Sequence, residues 1–478
     1  MFAAIATLLL AVSATPVPKV TRPIPVTANS YPFMASNKST PAFDLSKVGY
    51  VEEEYLVSGT ANVYDWAADG TVNVKTPNAP YTTRILVRRP ASGFSGTVVV
   101  ELMFAARRFD WSMMWGFSHE HIIDHKDAWV GITLPASADG LKKFNPTRYA
   151  DVSFANPSTT PCTGAQNNAP AASEDGLRWD MISQVGALLK SDLLKAQYLF
   201  LTTQGADVAT YANAIHANLQ NGKPVYDGYL LKAPFTMARI NQCAPAPAAN
   251  DPRQMIKNVG VPVVEVAAQG EIIGGTYASR RDDSDAPNDR FRLYEVASAG
   301  HIDKFAYFGF PAQADQTAAV GSAQGTVDWP FNAKCTPEIP LMDPSLIGYV
   351  FNASFAALDQ WVRKGTPAPR ASRIEIKDAG TPQASVVTDK LGHGLGGVRT
   401  PFIDVPDATY LTSSPGPGNC REMGHRDLLD ASKITELYGS RKSYASRFSE
   451  TVDRLAKERW LTEGDAKRLK QSLNAGSN

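Results

Sequence analysis

The sequence predicts an α/β fold: a mostly parallel central sheet flanked by helices, with an N-terminal β segment, cap loops and a C-terminal helical extension. Three observations carry this reading. Strand-like runs alternate with helical segments from residue 96 onward, the pattern of βαβ units. The run Gly96-Thr97-Val98-Val99-Val100-Glu101-Leu102 is almost continuously apolar, as in a strand buried on both faces. A chain of 478 residues, 44% hydrophobic and 20% charged, has the composition of a globular protein with a sizeable core.

The elements follow in order. Residues 1–14 are uncharged and largely apolar, end in Val12-Ser13-Ala14 and precede Pro16 and Pro18. They read as a signal peptide, too short to span a bilayer, and predict a secreted or periplasmic protein. Residues 15–95 form an arm and a β-rich segment, with strands expected at 51–56, 71–74 and 82–88 and turns at Asp69-Gly70 and Pro77-Asn78. Residues 96–370 form the α/β core. Its helices are expected at 111–123, 177–194, 207–219 and 345–364, and its later strands at 128–133, 197–201, 226–231, 261–267 and 291–296. Asp207 suits a helix N-terminus, where the dipole favours negative charge. The long segments 135–175, 235–255 and 305–345 read as lids or caps inserted in that core. Residues 371–478 are an extension packed on the core, Gly- and Pro-rich at 385–425 and helical with mixed charge at 428–473.

Charge and motifs narrow the function. Lys plus Arg and Asp plus Glu both number 47, so the net charge is zero and nucleic acid is not expected as a partner. No segment after the N-terminus is long and apolar enough to read as a membrane span. Cys162, Cys243, Cys335 and Cys420 form no CxxC, which argues against a zinc or thioredoxin-like motif and for one or two disulfides; three full pairings are open. Ser118-His119-Glu120-His121 with His125 has metal-ligand chemistry, but an HExxH site needs two residues between Glu and the second His, and the spacing fails. No metal and no cofactor are expected. Trp179-Asp180-Met181-Ile182-Ser183-Gln184 reads as a helix with polar groups bonded within it.

The chemistry concentrates at strand ends. Tyr198-Leu199-Phe200-Leu201-Thr202-Thr203-Gln204-Gly205-Ala206-Asp207 reads as a buried strand, a sharp turn and a helix start. Glu271 follows the strand at 261–267, and His301 follows the strand at 291–296. Nucleophile, acid and His in that chain order is the order of an α/β-hydrolase. His301 is the candidate general base, and Glu271 the carboxylate that would orient it and stabilise its imidazolium. Asp282, Asp283 and Asp285 are rival acids, and Asp303 a helix cap or a second orienter. The turn holds no Ser or Cys, so Thr202 and Thr203 are the candidate attacking hydroxyls, with N–H groups near Gln204 and Gly205 facing the oxyanion. A Thr carries an extra methyl that crowds such a turn.

Further stretches make a family recognisable. They include Gly49-Tyr50-Val51-Glu52-Glu53-Glu54-Tyr55, Ser58-Gly59-Thr60-Ala61-Asn62-Val63-Tyr64, Asp127-Ala128-Trp129-Val130-Gly131 and Phe144-Asn145-Pro146-Thr147-Arg148-Tyr149. Thr210-Tyr211-Ala212-Asn213-Ala214-Ile215-His216 and Gly396-Gly397-Val398-Arg399-Thr400-Pro401 continue the match. Over about residues 45 to 475 the chain resembles exported α/β-hydrolase domain-containing proteins of the serine-esterase superfamily.

The resemblance implies an ester- or amide-hydrolase scaffold with a Ser-acid-His triad. His301 matches the triad His and Glu271 the acid, which is Asp in relatives. The nucleophile Ser is replaced: an ungapped match puts Thr202 under it, and a short deletion puts Thr203-Gln204 under Ser-Gln. The loop after Glu101 departs too, with Met103-Phe104-Ala105-Ala106 where relatives carry an Asn-Pro or Asn-Val element. Phe104 and Ala105 thus stand where an oxyanion donor is expected. The first expectation is hydrolysis of an ester of a small organic substrate by a Thr/Glu/His triad. The alternatives are a non-hydrolytic lyase, dehydratase or isomerase using His and Glu for proton transfer, or a silent binding protein.

Overall fold

The computed structural model describes residues 15–162, 171–204, 206–216, 224–233, 236–248, 250–323, 327–328, 332–333, 335 and 339–475. The expected signal peptide lies outside the described residues.

Residues 50–90 are rich in β-branched and aromatic side chains, and they form two long strands where three short ones were expected. Strand β1 (Lys19–Val20) lies on the sheet edge, beside a hairpin of β2 (Tyr50–Trp66) and β3 (Val72–Pro90). The hairpin turns at Asp69-Gly70, where Gly70 takes φ 83°. The second turn expected at Pro77-Asn78 is absorbed into β3 instead. The register slips between Ala61 and Tyr64, Asn78 takes φ 54°, and its N–H is held by Asn62 Oδ1 at 3.1 Å. A turn signal inside a long pairing is accommodated as a bulge.

The remaining elements alternate. They are β4 (Thr97–Leu102), α1 (Met113–Asp124), β5 (Ala128–Ile132), α2 (Ala138–Phe144), α3 (Arg178–Leu188), β6 (Tyr198–Gln204) and α4 (Asp207–Thr210). Then come β7 (Gly228–Lys232), β8 (Val263–Ala268), β9 (Ser284–Ala286), β10 (Asp289–Val296), α5 (Gln313–Val320), α6 (Leu346–Lys364), α7 (Pro401–Asp404), α8 (Ala431–Tyr438), α9 (Arg441–Lys457) and α10 (Glu463–Ala475). The sheet runs β1-β2-β3-β5-β4-β6-β7-β8-β10-β9, parallel from β5 to β10. The strand order reverses at β4, so a crevice opens beyond the C-terminal ends of β4 and β6, where such sheets bind ligands.

Strands β4, β5, β7 and β8 are buried at every residue. Helix α6 covers one face with Val350, Phe351, Phe355, Leu358 and Trp361, an apolar stripe at helical spacing. It starts at Ser345, whose Oγ accepts the Gly348 N–H at 2.9 Å. Gly228 lets it lie close, since a Cβ there would meet Leu358 at 2.8 Å. Helix α5 lies within the long segment 305–345, expected as a lid or cap, and stops at Gly321 with φ 83°. The polar groups of α3 bond across to the hairpin rather than within the helix. Asp180 accepts the Asn62 N–H at 2.8 Å and Tyr64 OH at 2.7 Å, and Gln184 accepts Tyr81 OH at 2.9 Å. The cysteines pair as Cys162–Cys243 and Cys335–Cys420, two bridges that sequence could not assign. Among the described residues no helix is long and apolar enough to cross a membrane.

A fully buried ion network ties the arm to the hairpin. Glu54 accepts Arg84 Nε at 2.6 Å, Tyr149 OH at 2.8 Å and Arg148 Nε at 2.5 Å. Arg84 also donates to the Phe33 carbonyl at 2.6 Å. Removing one partner of a buried network leaves an uncompensated charge. Glu54→Ala should therefore lower unfolding free energy by about 3–5 kcal/mol in guanidinium titrations; a loss under about 1 kcal/mol, the scale of exposed pairs, would contradict this account.

Candidate active site

The end of β7 supplies the residue that organises the site. Lys232 closes the apolar strand Gly-Tyr-Leu-Leu-Lys, and its side chain is fully buried. Its Nζ donates to Glu271 Oε1 at 2.5 Å and lies 3.2 Å from His301 Nδ1. Glu271 sits in the single turn after β8, where Oε2 accepts the Ala268 N–H at 2.6 Å, and its Oε1 also contacts His301 Nδ1. Burial pushes the Glu271 carboxyl up, but the Lys232 ammonium and then His301 outweigh it and hold it below the ordinary glutamate value. A carboxylate on Nδ1 fixes the imidazole orientation and leaves Nε2 as the group that can take a proton. The His301 side chain is 18% exposed, against 8% for Glu271.

Asp303 caps the turn that follows His301. It accepts the Phe305 N–H at 2.9 Å and Ser345 Oγ at 2.5 Å, so it anchors the His301 loop to the start of α6. Burial pushes its carboxyl up to about 6. Two of the rival acids are engaged elsewhere: Asp283 with Arg373 at 2.7 Å, and Asp285 with Arg292 and Arg370, each at 2.6 Å.

The two threonines lie inside β6, which continues through Gln204 rather than ending at residue 201. Thr202 pairs with Glu101 on one side and Leu230 on the other; Thr203 pairs with Leu231 and Gln204 with Lys232. β-branched residues suit such a doubly flanked strand. Thr203 Oγ1 donates its proton to the Leu102 carbonyl at 2.8 Å. Thr202 Oγ1 is buried with no hydrogen-bond partner among the described residues. Gly205 lies outside the described residues.

The loop after β4 faces the same edge. Phe104 and Trp111 form a two-residue bridge in which the Phe104 N–H donates to the Trp111 carbonyl at 2.9 Å. That commits the Phe104 donor and leaves Ala105 as the loop's candidate. Glu101, the β4 register partner of Thr202, accepts the N–H groups of Met114 and Trp115 at 2.9 and 3.0 Å and Trp129 Nε1 at 2.8 Å. Burial pushes its carboxyl up to about 7 against those bonds. It caps α1 and holds the loop between β4 and α1 in place. Sequence reading missed Glu101 and Lys232; a charged residue at or next to the C-terminal end of an otherwise apolar parallel strand was the available signal in both.

The chain belongs to the alpha/beta hydrolase domain family, whose model matches residues 20–471. No curated protein matches it. Solved structures with similarity include two of esterase Est22: one at 12% identity and TM-score 0.29, covering 57% of this chain and 78% of that one, and one at 11% and 0.25, covering 47% and 66%. An a/b serine hydrolase without lid from Xanthomonas campestris is similar at 7% identity and TM-score 0.25, covering 54% and 92%.

The depressed Glu271 carboxyl contributes stability that is fully present above its unfolded value, about 4.3, and is lost as pH falls through the lower folded value. In Lys232→Met, burial is no longer opposed by the ammonium, so the carboxyl rises. The stability gap between wild type and Lys232→Met should then be largest near neutral pH and shrink below about pH 4.3. Urea midpoints measured from acid to neutral pH check this; a pH-independent gap would contradict it.

Proposed function

We propose that this hydrolase-family protein cleaves an ester of a small organic molecule, with His301 as general base oriented by Glu271. The observation that supports the reading is the Glu271–His301 contact, compensated by Lys232, at the C-terminal edge of the sheet. In this reading the attacking group is the Thr202 hydroxyl, which has no hydrogen-bond partner among the described residues, whereas Thr203 would first have to leave the Leu102 carbonyl. His301 takes the hydroxyl proton as the oxygen adds to the acyl carbon, then returns it to the departing alcohol oxygen. Water repeats the cycle on the acyl-threonine ester and releases the acid. N–H groups of Ala105 and at the end of β6 near Gln204 would carry the oxyanion.

A second reading has its own support. Thr202 lies within a paired strand and Thr203 spends its proton on Leu102, so neither hydroxyl is presented as in a strained elbow. His301 and Glu271 would then move a proton on a small molecule without an acyl-enzyme, as in a lyase, dehydratase or isomerase. The two disulfides support an oxidising, exported setting for either reading.

Turnover of short-chain aryl esters and labelling by a fluorophosphonate separate the two. The first reading expects labelling at Thr202, a fall in kcat/KM of about 10²–10⁴-fold in His301→Ala, and loss of turnover in Thr202→Ala. Ester turnover that survives Thr202→Ala and Thr203→Ala together, yet is lost in His301→Ala, would put water in the attacking position. No ester turnover and no labelling would sink the hydrolase reading.

A further inference from the structure

The C-terminal turn of α1 gathers a second cluster of ligating side chains, far from the residues discussed above. His121 and His125 are four residues apart, so they share one face of the helix end. Their rings stand 4.1 Å apart between centroids. After Lys126, which takes φ 57°, the chain folds back and brings Asp127 beside them. One ligand atom from each of His121, His125 and Asp127 lies within 4.8 Å of the other two, the one such trio among the described residues.

Two independent features mark this trio as more than a chance grouping. His121 is buried, yet its Nδ1 has no hydrogen-bond partner among the described residues. A buried imidazole nitrogen is rarely left without a partner. The site also has an outer layer. Ser95 Oγ donates to Asp127 Oδ1 at 2.6 Å, and Tyr50 OH donates to the carbonyls of Ile122 and Asp127 at 2.9 and 2.8 Å, which pins the turn. The neighbouring groups that could compete are committed elsewhere. His119 stacks on Phe308 at 3.7 Å, Glu120 and Asp124 pair with Arg468 at 3.1 and 2.7 Å, and Asp359 pairs with Arg363 at 2.7 Å.

We propose that His121, His125 and Asp127 bind one late first-row divalent cation, zinc foremost, which clamps the end of α1 to the start of β5. Two imidazoles and one carboxylate are the donor set such cations prefer. Zinc–ligand bonds of about 2.0–2.2 Å put tetrahedral ligand atoms about 3.3 Å apart, so the trio closes by side-chain adjustment alone. Exposed His125 leaves the fourth position open to water. The HExxH spacing fails at His119-Glu120-His121, but another spacing is met. The pattern here is His-x-x-x-His-x-Asp, and the third ligand arrives through a turn.

The test uses the full chain, stripped with a chelator and titrated with zinc by calorimetry and with cobalt by visible absorption. Wild type should bind one equivalent, show tetrahedral cobalt bands and gain in Tm. His125→Ala and Asp127→Asn, an exposed and an isosteric change, should each weaken binding by more than about 100-fold, beyond what loss of an outer partner costs. Ser95→Ala should weaken it by about 10–100-fold, and Glu120→Gln should leave it unchanged. Absence of zinc heat and of cobalt bands, or equal binding in His125→Ala and Asp127→Asn, would overturn the proposal.

Discussion

A lysine ammonium with no solvent exposure cannot stand alone, and the Lys232–Glu271 pair is the interaction on which the site depends. Compensating that charge forces the turn after β8 to bring Glu271 to the end of β7. The same carboxylate oxygen then receives His301 from the loop after β10. Three strand ends are thereby fixed by one oxygen. Asp303 extends the chain of constraint, because its bond to Ser345 makes the cap of α6 part of the support for His301. The site is thus held by the same helix whose apolar face fills the core.

The opposite side of the crevice is organised by a second buried charge. Glu101, near the end of β4, accepts two N–H groups in the first turn of α1, which places the helix and, with it, the loop carrying Phe104 and Ala105. Thr202 lies directly beside Glu101 in the ladder. The corner therefore combines a capped helix, a committed Phe104 donor and threonines in regular strand geometry. That is a different solution from a strained turn holding a hydroxyl outward.

Helix α1 links these two regions. Its first turn rests on Glu101, and its last turn carries His121 and His125. Twelve residues at 1.5 Å each separate the ends by about 18 Å. A cation at the far end would act on the helix and on β5, not on the reacting atoms.

The sequence by itself determined the alternation of strands and helices, the mostly parallel sheet, and the chain order that places Glu271 and His301 after neighbouring strands. These are local properties: apolar runs, turn residues and caps can be read within a window of a few residues. What only the tertiary structure decided depends on partners far along the chain. Lys232 gains meaning from Glu271, 39 residues later, and the cysteines from partners 81 and 85 residues away. The extension of β6 past residue 201 comes from pairing with strands distant in sequence: Thr202 lies between β4 and β7, and Thr203 and Gln204 continue along β7. The polar face of α3 was visible as a pattern, but its bonds to β2 and β3 were not, because periodicity shows which residues share a face and not what meets it. The contact of Asp127 with His121 and His125 needed the backbone turn at Lys126, a conformation the sequence does not announce.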